Sequence, residues 1–171
     1  VDVSQSPHFA FVAPATTIAP LATEKRAAIA KALGIAPDLI IRTSELCNGP
    51  VWQVLELATV EAVQQADSSR VRWPEFKAIG LLARHPAGAE CDYEVRMLAP
   101  SSGMSEDPIT GSLNAALAQW MRTEGRLDKP YTVAQGTMIG RKGRVSVRSD
   151  SQDRVWIGGE VHILIEGTLT L

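Results

Sequence analysis

The sequence predicts an α+β fold in which a mixed, mostly antiparallel sheet is wrapped around one long central helix. Two observations carry this prediction. Short apolar segments recur along the chain between turns rich in glycine and proline, which is typical of antiparallel strands. One longer segment, residues 108–123, instead repeats its apolar residues at helical spacing. With 171 residues, 45% hydrophobic and 21% charged, the chain has the size and composition of one ordinary globular domain.

The first half of the chain alternates short strands with two helices. Thr23 is expected to cap a helix over residues 24–33 that stops at Gly34, because threonine and glycine favour those two positions. Thr59 is expected to cap a second, shorter helix. The predicted strands cover residues 9–13, 39–41, 51–57, 78–83 and 93–98, and residues 14–20 form a connector rich in proline and threonine.

The central helix is predicted over residues 108–123, with Gly125 as its stop. Leu113, Leu117 and Trp120 recur at helical spacing on one face, while alanines keep the other sides slim. A slim helix suits close packing in the middle of a domain. Further strands are expected at residues 131–133, 144–148, 155–157 and 161–165.

Composition excludes several classes of function. The formal net charge is -2 with both signs interspersed, so we expect neither a nucleic-acid partner nor a membrane partner. The three histidines lie far apart and no paired-cysteine motif occurs, so no metal site is expected. Two cysteines without a disulfide framework, and no secretory signal pattern, favour a cytoplasmic location and leave open whether the cysteines pair.

Chemistry is concentrated between the strand that ends near residue 99 and the central helix. The free N–H groups of a helix's first turn, at its positive dipole end, can bind an anion. Gly111 allows a ligand to approach the backbone closely, and Thr110 and Ser112 add hydroxyl donors, so a substrate carboxylate fits there without a metal. Glu106 and Asp107 lie beside this site, where a carboxyl group can orient a substrate or relay a proton.

The same residues also have a purely structural interpretation. Asp107 as N-cap and Pro108 at the first helical position would start a helix without any function. The dipeptide alone favours that interpretation. The longer string from Arg96 to Ser112 is what favours a functional site.

That string resembles the signature of the phenazine-biosynthesis (PhzF-like) isomerase family. The matching residues are Arg96, Pro100, Gly103, Glu106, Asp107, Pro108, Thr110, Gly111 and Ser112. Residues 49–54, 135–141 and 155–159 show looser similarity, so the resemblance covers nearly all of the chain. It implies a diaminopimelate-epimerase fold, with two similar α+β halves and an active site in the cleft between them.

Within that resemblance, the chain is similar to the C-terminal half only. Residues 21–171 would form the C-terminal domain, and residues 1–20 a crossing strand and connector from a missing first half. The resemblance implies cofactor-free isomerisation of a small carboxylate-bearing molecule by proton transfer. Asp107 would be catalytic by orienting the substrate, and the expected substrate-binding residues are Gly103, Glu106, Thr110, Gly111 and Ser112.

The family's acid/base glutamate belongs to the first half, and its sequence setting does not occur in this chain. Three interpretations therefore stay open. The chain is the C-terminal half of an isomerase, either cut from a longer chain or paired with a separately encoded first half, or it is a non-catalytic carboxylate-binding module, or a structural domain that pairs with a second copy of itself. Leu113 stands where the family often has a small residue, and we expect it to narrow the pocket.

Overall fold

The predicted fold class is confirmed by a computed structural model, which describes residues 2–5 and 8–168. Within those ranges there are ten strands and three α-helices. The strands are β1 (Asp2–Gln5), β2 (His8–Val12), β3 (Thr17–Ala19), β4 (Ile40–Cys47), β5 (Val51–Leu57), β6 (Ile79–Arg84), β7 (Tyr93–Leu98), β8 (Tyr131–Gln135), β9 (Gly143–Ser149) and β10 (Val155–Glu160). The helices are α1 (Thr23–Leu33), α2 (Val60–Gln65) and α3 (Gly111–Thr123).

All of these strands form one sheet, in the order β1-β2-β10-β9-β8-β7-β6-β5-β4-β3. Neighbours are antiparallel except for β5 with β6 and β7 with β8. The strands of each parallel pair are joined through a helix, α2 in the first case and α3 in the second, and α1 joins the antiparallel pair β3 and β4. A helical crossover is the usual way to bring two consecutive strands into parallel alignment.

Helix α3 lies inside the curl of the sheet. It contacts β4 near one end of the strand order and β9 and β10 towards the other, so the sheet bends around it. The helix is buried on most of its circumference, through Leu113, Asn114, Ala115, Ala116, Leu117, Ala118, Trp120 and Met121. The smaller helices α1 and α2 cover a second apolar cluster formed with β5, β6 and Leu98 of β7.

Several local predictions are correct. Gly34 ends α1 in the left-handed conformation, with φ of 69°, and the Thr59 hydroxyl accepts a hydrogen bond from the Ala62 N–H at 3.1 Å at the start of α2. The predicted Thr23 cap is wrong, because α1 begins at Thr23 itself and its N-cap is Ala22, which has no side chain that can accept a hydrogen bond.

Other predictions differ from the structure because sheet pairing overrides local composition. The predicted connector contains β3, which gains its hydrogen bonds by pairing with β4. Strand β4 continues to Cys47, six residues beyond the predicted end at residue 41. The segment 161–165, predicted as a strand from its apolar residues, has no regular secondary structure, and its Ile163, Leu164 and Ile165 are exposed.

Leu113 does not narrow a pocket, and that expectation is wrong. Its side chain is completely buried in the core around α3, on the side facing β6. A Cβ placed on Gly80 of β6 would lie 2.8 Å from Leu113 Cδ1. Leu113 therefore occupies the space that a side chain at position 80 would fill.

We predict that Gly80→Ala destabilises the fold by about 1–3 kcal/mol, because the added methyl group overpacks the core against Leu113. Chemical denaturation would measure the change in the free energy of unfolding. Leu113→Ala in the same chain should relieve the clash, giving a favourable coupling energy in a double-mutant cycle. Gly167→Ala is the control, since a Cβ there meets nothing within 4 Å. Additive effects of Gly80→Ala and Leu113→Ala would contradict this explanation.

Candidate functional site

The loop between β7 and α3 and the first turn of α3 together carry every residue predicted for the site. It begins with a 3₁₀ turn, Pro100–Ser102, which Gly103 ends in the left-handed conformation with φ of 74°. This turn doubles the chain back, so that Ala99 pairs with Met104 in an isolated antiparallel bridge. Gly103 is exposed and shapes the loop through its backbone.

Helix α3 begins three residues later than expected, at Gly111, with Thr110 as its N-cap. Asp107 is therefore not the N-cap and Pro108 is not the first helical residue, so this prediction of how the helix starts is wrong. The half-buried Asp107 carboxylate instead accepts a hydrogen bond from the Thr110 hydroxyl, with 2.5 Å between Oγ1 and Oδ2. The aspartate and the hydroxyl thus form one unit at the entrance to the helix.

A fully buried glutamine holds this unit in place. Gln135, the last residue of β8, donates from Nε2 to the Asp107 carbonyl oxygen at 3.0 Å and to Thr110 Oγ1 at 2.9 Å. Its Oε1 accepts from the Thr110 N–H at 3.2 Å and from Asn114 Nδ2 at 2.9 Å. Asn114 Nδ2 also donates to the Thr110 carbonyl oxygen, so both ends of the loop segment are anchored by side-chain amides.

Two glycines let the β8–β9 hairpin approach this loop closely. A Cβ on Gly143 would lie 2.6 Å from the Pro108 carbonyl oxygen, and one on Gly136 would lie 2.8 Å from the same atom. Gly136 also has a φ of 85°, which favours glycine. Only residues without a side chain fit at these two positions, and this close approach brings Gln135 within hydrogen-bonding distance of the loop.

Glu106 turns away from the helix N-terminus and pairs with Arg96 of β7. Its carboxylate accepts from Arg96 Nη2 at 2.7 Å and from Nε at 3.1 Å, and both side chains are almost completely buried. Arg96 Nη1 meanwhile donates to carbonyl oxygens at the C-terminal end of α2. The ion pair therefore fastens the residue before Asp107 to the sheet and to α2.

The first turn of α3 presents N–H groups that have no carbonyl partner within the helix, at Gly111, Ser112 and Leu113. The Ser112 carbonyl accepts from Asn48 Nδ2 at 2.7 Å, which ties this turn to the β4–β5 connection. The positive end of the helix dipole also favours an anion at this turn.

A cavity of about 270 Å³ opens beside this turn, between β2, β9 and β10. Its walls are mainly apolar and include Phe11, Ile109 and Ile157, with the Gly111 backbone at one side. Arg144 also lines it, and the hydrogen bonds that its guanidinium donates to the Glu90 carboxylate raise the pKa of the guanidinium. Asp107 is not one of the described residues that line this cavity.

The structure thus brings Asp107, Thr110, Gly111 and Ser112 together, and directs Glu106 to a different partner. No role was predicted from the sequence for Gln135 and Asn114, the two residues whose side-chain amides organise the site. Both had a detectable signal: Gln135 is a polar residue at the end of an apolar strand, and Asn114 interrupts the apolar helix four residues after Thr110. Their burial, 0% and 1% exposed, is visible only in the fold.

Within the described residues, no group of three or more histidine, cysteine, aspartate or glutamate side chains is placed to hold a metal ion. Nor does that part of the chain contain a helix long and apolar enough to cross a membrane. Both cysteines, Cys47 and Cys91, are free thiols.

Comparison with known proteins assigns the family. The model of the phenazine biosynthesis-like protein family matches residues 3–167. The chain belongs to this PhzF family. A human phenazine biosynthesis-like domain-containing protein is 30% identical over 142 residues, which cover 79% of this chain and 46% of the human protein. The trans-2,3-dihydro-3-hydroxyanthranilate isomerase of Pseudomonas fluorescens is 27% identical over 151 residues, 85% of this chain and 53% of that enzyme.

Solved structures share the fold. A PhzF-family protein of Bacillus anthracis superposes with a TM-score of 0.72 at 16% identity, covering 90% of this chain and 57% of the other. A predicted epimerase of Pseudomonas aeruginosa gives the same TM-score of 0.72 at 19% identity, covering 96% and 59%. The PhzF chain described here spans about half the length of the curated relatives it matches.

We predict that Arg96→Met destabilises the fold by about 3–5 kcal/mol, because it leaves the Glu106 carboxylate buried without its partner. Lys25→Met, which removes the exposed ion pair with Glu45, is the matched control and should cost less than about 1 kcal/mol. Urea denaturation of both variants would measure the difference. Equal costs for the two substitutions would show that the buried pair has no special role.

Proposed function

We propose that this PhzF-family chain forms the carboxylate-binding half of a cofactor-independent isomerase. The substrate carboxylate is held by the N–H groups of Gly111 and Ser112, its apolar ring lies in the adjacent cavity, and Asp107 orients its polar groups. The observation that carries this proposal is the junction of an unsatisfied helix N-terminus, a fixed aspartate and an apolar cavity.

The reaction is proton transfer from one carbon of the substrate to another. The similarity to an isomerase of trans-2,3-dihydro-3-hydroxyanthranilate supports this reaction class. The resemblance assigns the general acid/base to a glutamate of the other half. A positioned acid/base group contributes about 10²–10⁴-fold to a rate, so this half alone is expected to bind substrate without turning it over.

A partner completes the proposed enzyme. The segment after β10 exposes a run of apolar residues, with Ile163 65%, Leu164 90% and Ile165 91% accessible. Contiguous apolar surface of this kind is typical of an interaction site. We assign it to a first-half polypeptide, in which case residues 1–20 serve as the crossing strand and connector and residues 21–171 as the C-terminal domain.

The alternatives are a second copy of the chain, which the same apolar segment would also suit, and a binding module without chemistry.

The two free thiols favour the reducing conditions of the cytoplasm.

Ligand binding tests the carboxylate site. We predict that 3-hydroxyanthranilate, an aromatic analogue of the relative's substrate, binds with perturbation of the Gly111 and Ser112 amide signals in NMR titrations. 2-Aminophenol lacks the carboxylate, and its affinity should be lower by a factor of about ten or more.

Two substitutions at one position sharpen this test. Gly111→Pro removes one N–H at a helical position that accepts proline, after a residue whose φ of -126° and ψ of 98° are compatible with a following proline. It should weaken binding about tenfold or more. Gly111→Ala keeps the N–H and adds a Cβ at an ordinary 3.4 Å from Phe11, so it should bind more tightly than Gly111→Pro. Equal affinities of the two variants would place the carboxylate elsewhere.

Native mass spectrometry tests the partner. We predict that the 18.4 kDa chain, mixed with a first-half polypeptide of the family, forms a complex with it, and that Leu164→Asp with Ile165→Asp prevents this by placing charges in the apolar segment. A homodimer would favour the second-copy alternative. A monomer would contradict the partner proposal and leave the binding module as the better description.

A further inference from the structure

The turn between β4 and β5 contains an asparagine directly before a glycine. The sequence has two asparagines, Asn48 and Asn114, and only Asn48 precedes glycine. Strands β4 and β5 pair up to Cys47 and Val51, so Asn48 and Gly49 lie in the turn itself. Asparagine before glycine is the setting in which a side-chain amide is lost most readily, because no side chain on the glycine shields its backbone nitrogen.

That loss is an intramolecular reaction that consumes only water. The Gly49 nitrogen attacks the side-chain carbon of Asn48, Cγ, and the new N–Cγ bond closes a succinimide ring. The Cγ–Nδ2 bond breaks, and Nδ2 leaves as ammonia with the proton that the Gly49 nitrogen gives up. Water then adds to one of the two ring carbonyl carbons, which yields aspartate or isoaspartate at position 48. The reaction therefore needs neither a cofactor nor an oxidant.

The attacking nitrogen belongs to an open part of the turn. Gly49 is exposed, and a Cβ placed on it would meet no atom within 4 Å. Its φ of 113° favours glycine, which keeps a side chain away from this position. Base from the solvent can therefore remove the Gly49 proton in the folded chain.

The group under attack, by contrast, is held on both sides. Asn48 Nδ2 donates to the Ser112 carbonyl oxygen in the first turn of α3 at 2.7 Å, and Asn48 Oδ1 accepts from Trp52 Nε1 at 3.2 Å. Because an indole N–H can only donate and a carbonyl can only accept, the amide has one orientation. Departure of Nδ2 breaks the bond to Ser112. Each such hydrogen bond is worth a factor of about two to ten in an equilibrium constant.

We infer that Asn48 is a site of spontaneous deamidation and that its contact with α3 sets the rate. The amide is protected while the turn is bound to the helix, and it reacts when the two separate. The product has a carboxylate in place of Nδ2, which cannot donate to the Ser112 carbonyl oxygen, so the contact does not form again. A brief opening at the start of α3 thereby becomes permanent. This inference does not depend on the proposed function.

Mass-spectrometric peptide mapping of the full chain, incubated at mildly alkaline pH, measures the aspartate and isoaspartate formed at position 48. A synthetic peptide of residues 44–54 has the same turn sequence without α3 and gives the unprotected rate. We expect Asn48 to react in the full chain, more slowly than in the peptide by a factor of about ten or more. Equal rates, or no product in the full chain once the peptide has been converted completely, would overturn the inference.

Two tryptophan substitutions separate this contact from general stability. Trp52→Phe removes the N–H that binds Asn48 Oδ1 and keeps a ring in the core. Trp120→Phe changes an equally buried tryptophan, which stacks against Arg126 towards the other end of α3. Trp52→Phe should raise the rate about two- to tenfold, and Trp120→Phe should leave it unchanged. No acceleration in Trp52→Phe, or equal acceleration in both, would contradict control by the α3 contact. The comparison with the peptide stays decisive if a variant does not fold.

Asn48→Asp reproduces one product and tests the loss of the contact. Hydrogen exchange should become about two- to tenfold faster for the backbone N–H groups of residues 114–116, the first that are bonded within α3, and should stay unchanged for residues 120–123. Unchanged exchange at both ends of the helix would show that the contact with Asn48 does not hold the start of α3, and would overturn that part of the inference.

Discussion

The enclosure of α3 by a single curled sheet is the constraint on which the rest of the structure depends. A helix contacted by strands from opposite ends of one sheet must be slim, and its alanines at positions 115, 116 and 118 are completely buried. The larger Leu113 fits on the same helix because the facing strand residue, Gly80, has no side chain. Close packing on most sides fixes the helix axis and with it the position of the helix N-terminus.

The loop before α3 is held from two directions by polar groups that the core has buried. Gln135 and Asn114 bind its last residues from the hairpin and helix side, while the Arg96–Glu106 pair binds the preceding residue to the sheet and α2. Buried polar groups are costly unless they are paired, so each of these contacts specifies one loop conformation. The aspartate between the two anchors is thereby presented at the helix N-terminus without being part of the helix.

This arrangement explains why the two neighbouring carboxylates of Glu106 and Asp107 have different partners. Glu106 and Asp107 are neighbours in sequence, yet one carboxylate is enclosed by a guanidinium and the other faces a hydroxyl beside the first turn of α3. The first supports the loop, and the second is the group that we propose contacts a ligand. Membership of the PhzF family gives this division a context, since the proposed chemistry needs an oriented substrate and a proton-transfer group from elsewhere.

The sequence by itself determined the fold class, the turn glycines, the central helix and the string that places this chain in its family, because these depend on local spacing and residue type. The tertiary structure decided where α3 begins, that β3 and the long β4 join the sheet, and that residues 161–165 do not. It also decided that Leu113 packs into the core and that Gln135 binds the loop. Those outcomes depend on hydrogen bonds and contacts between segments far apart in the chain, which local pattern cannot supply.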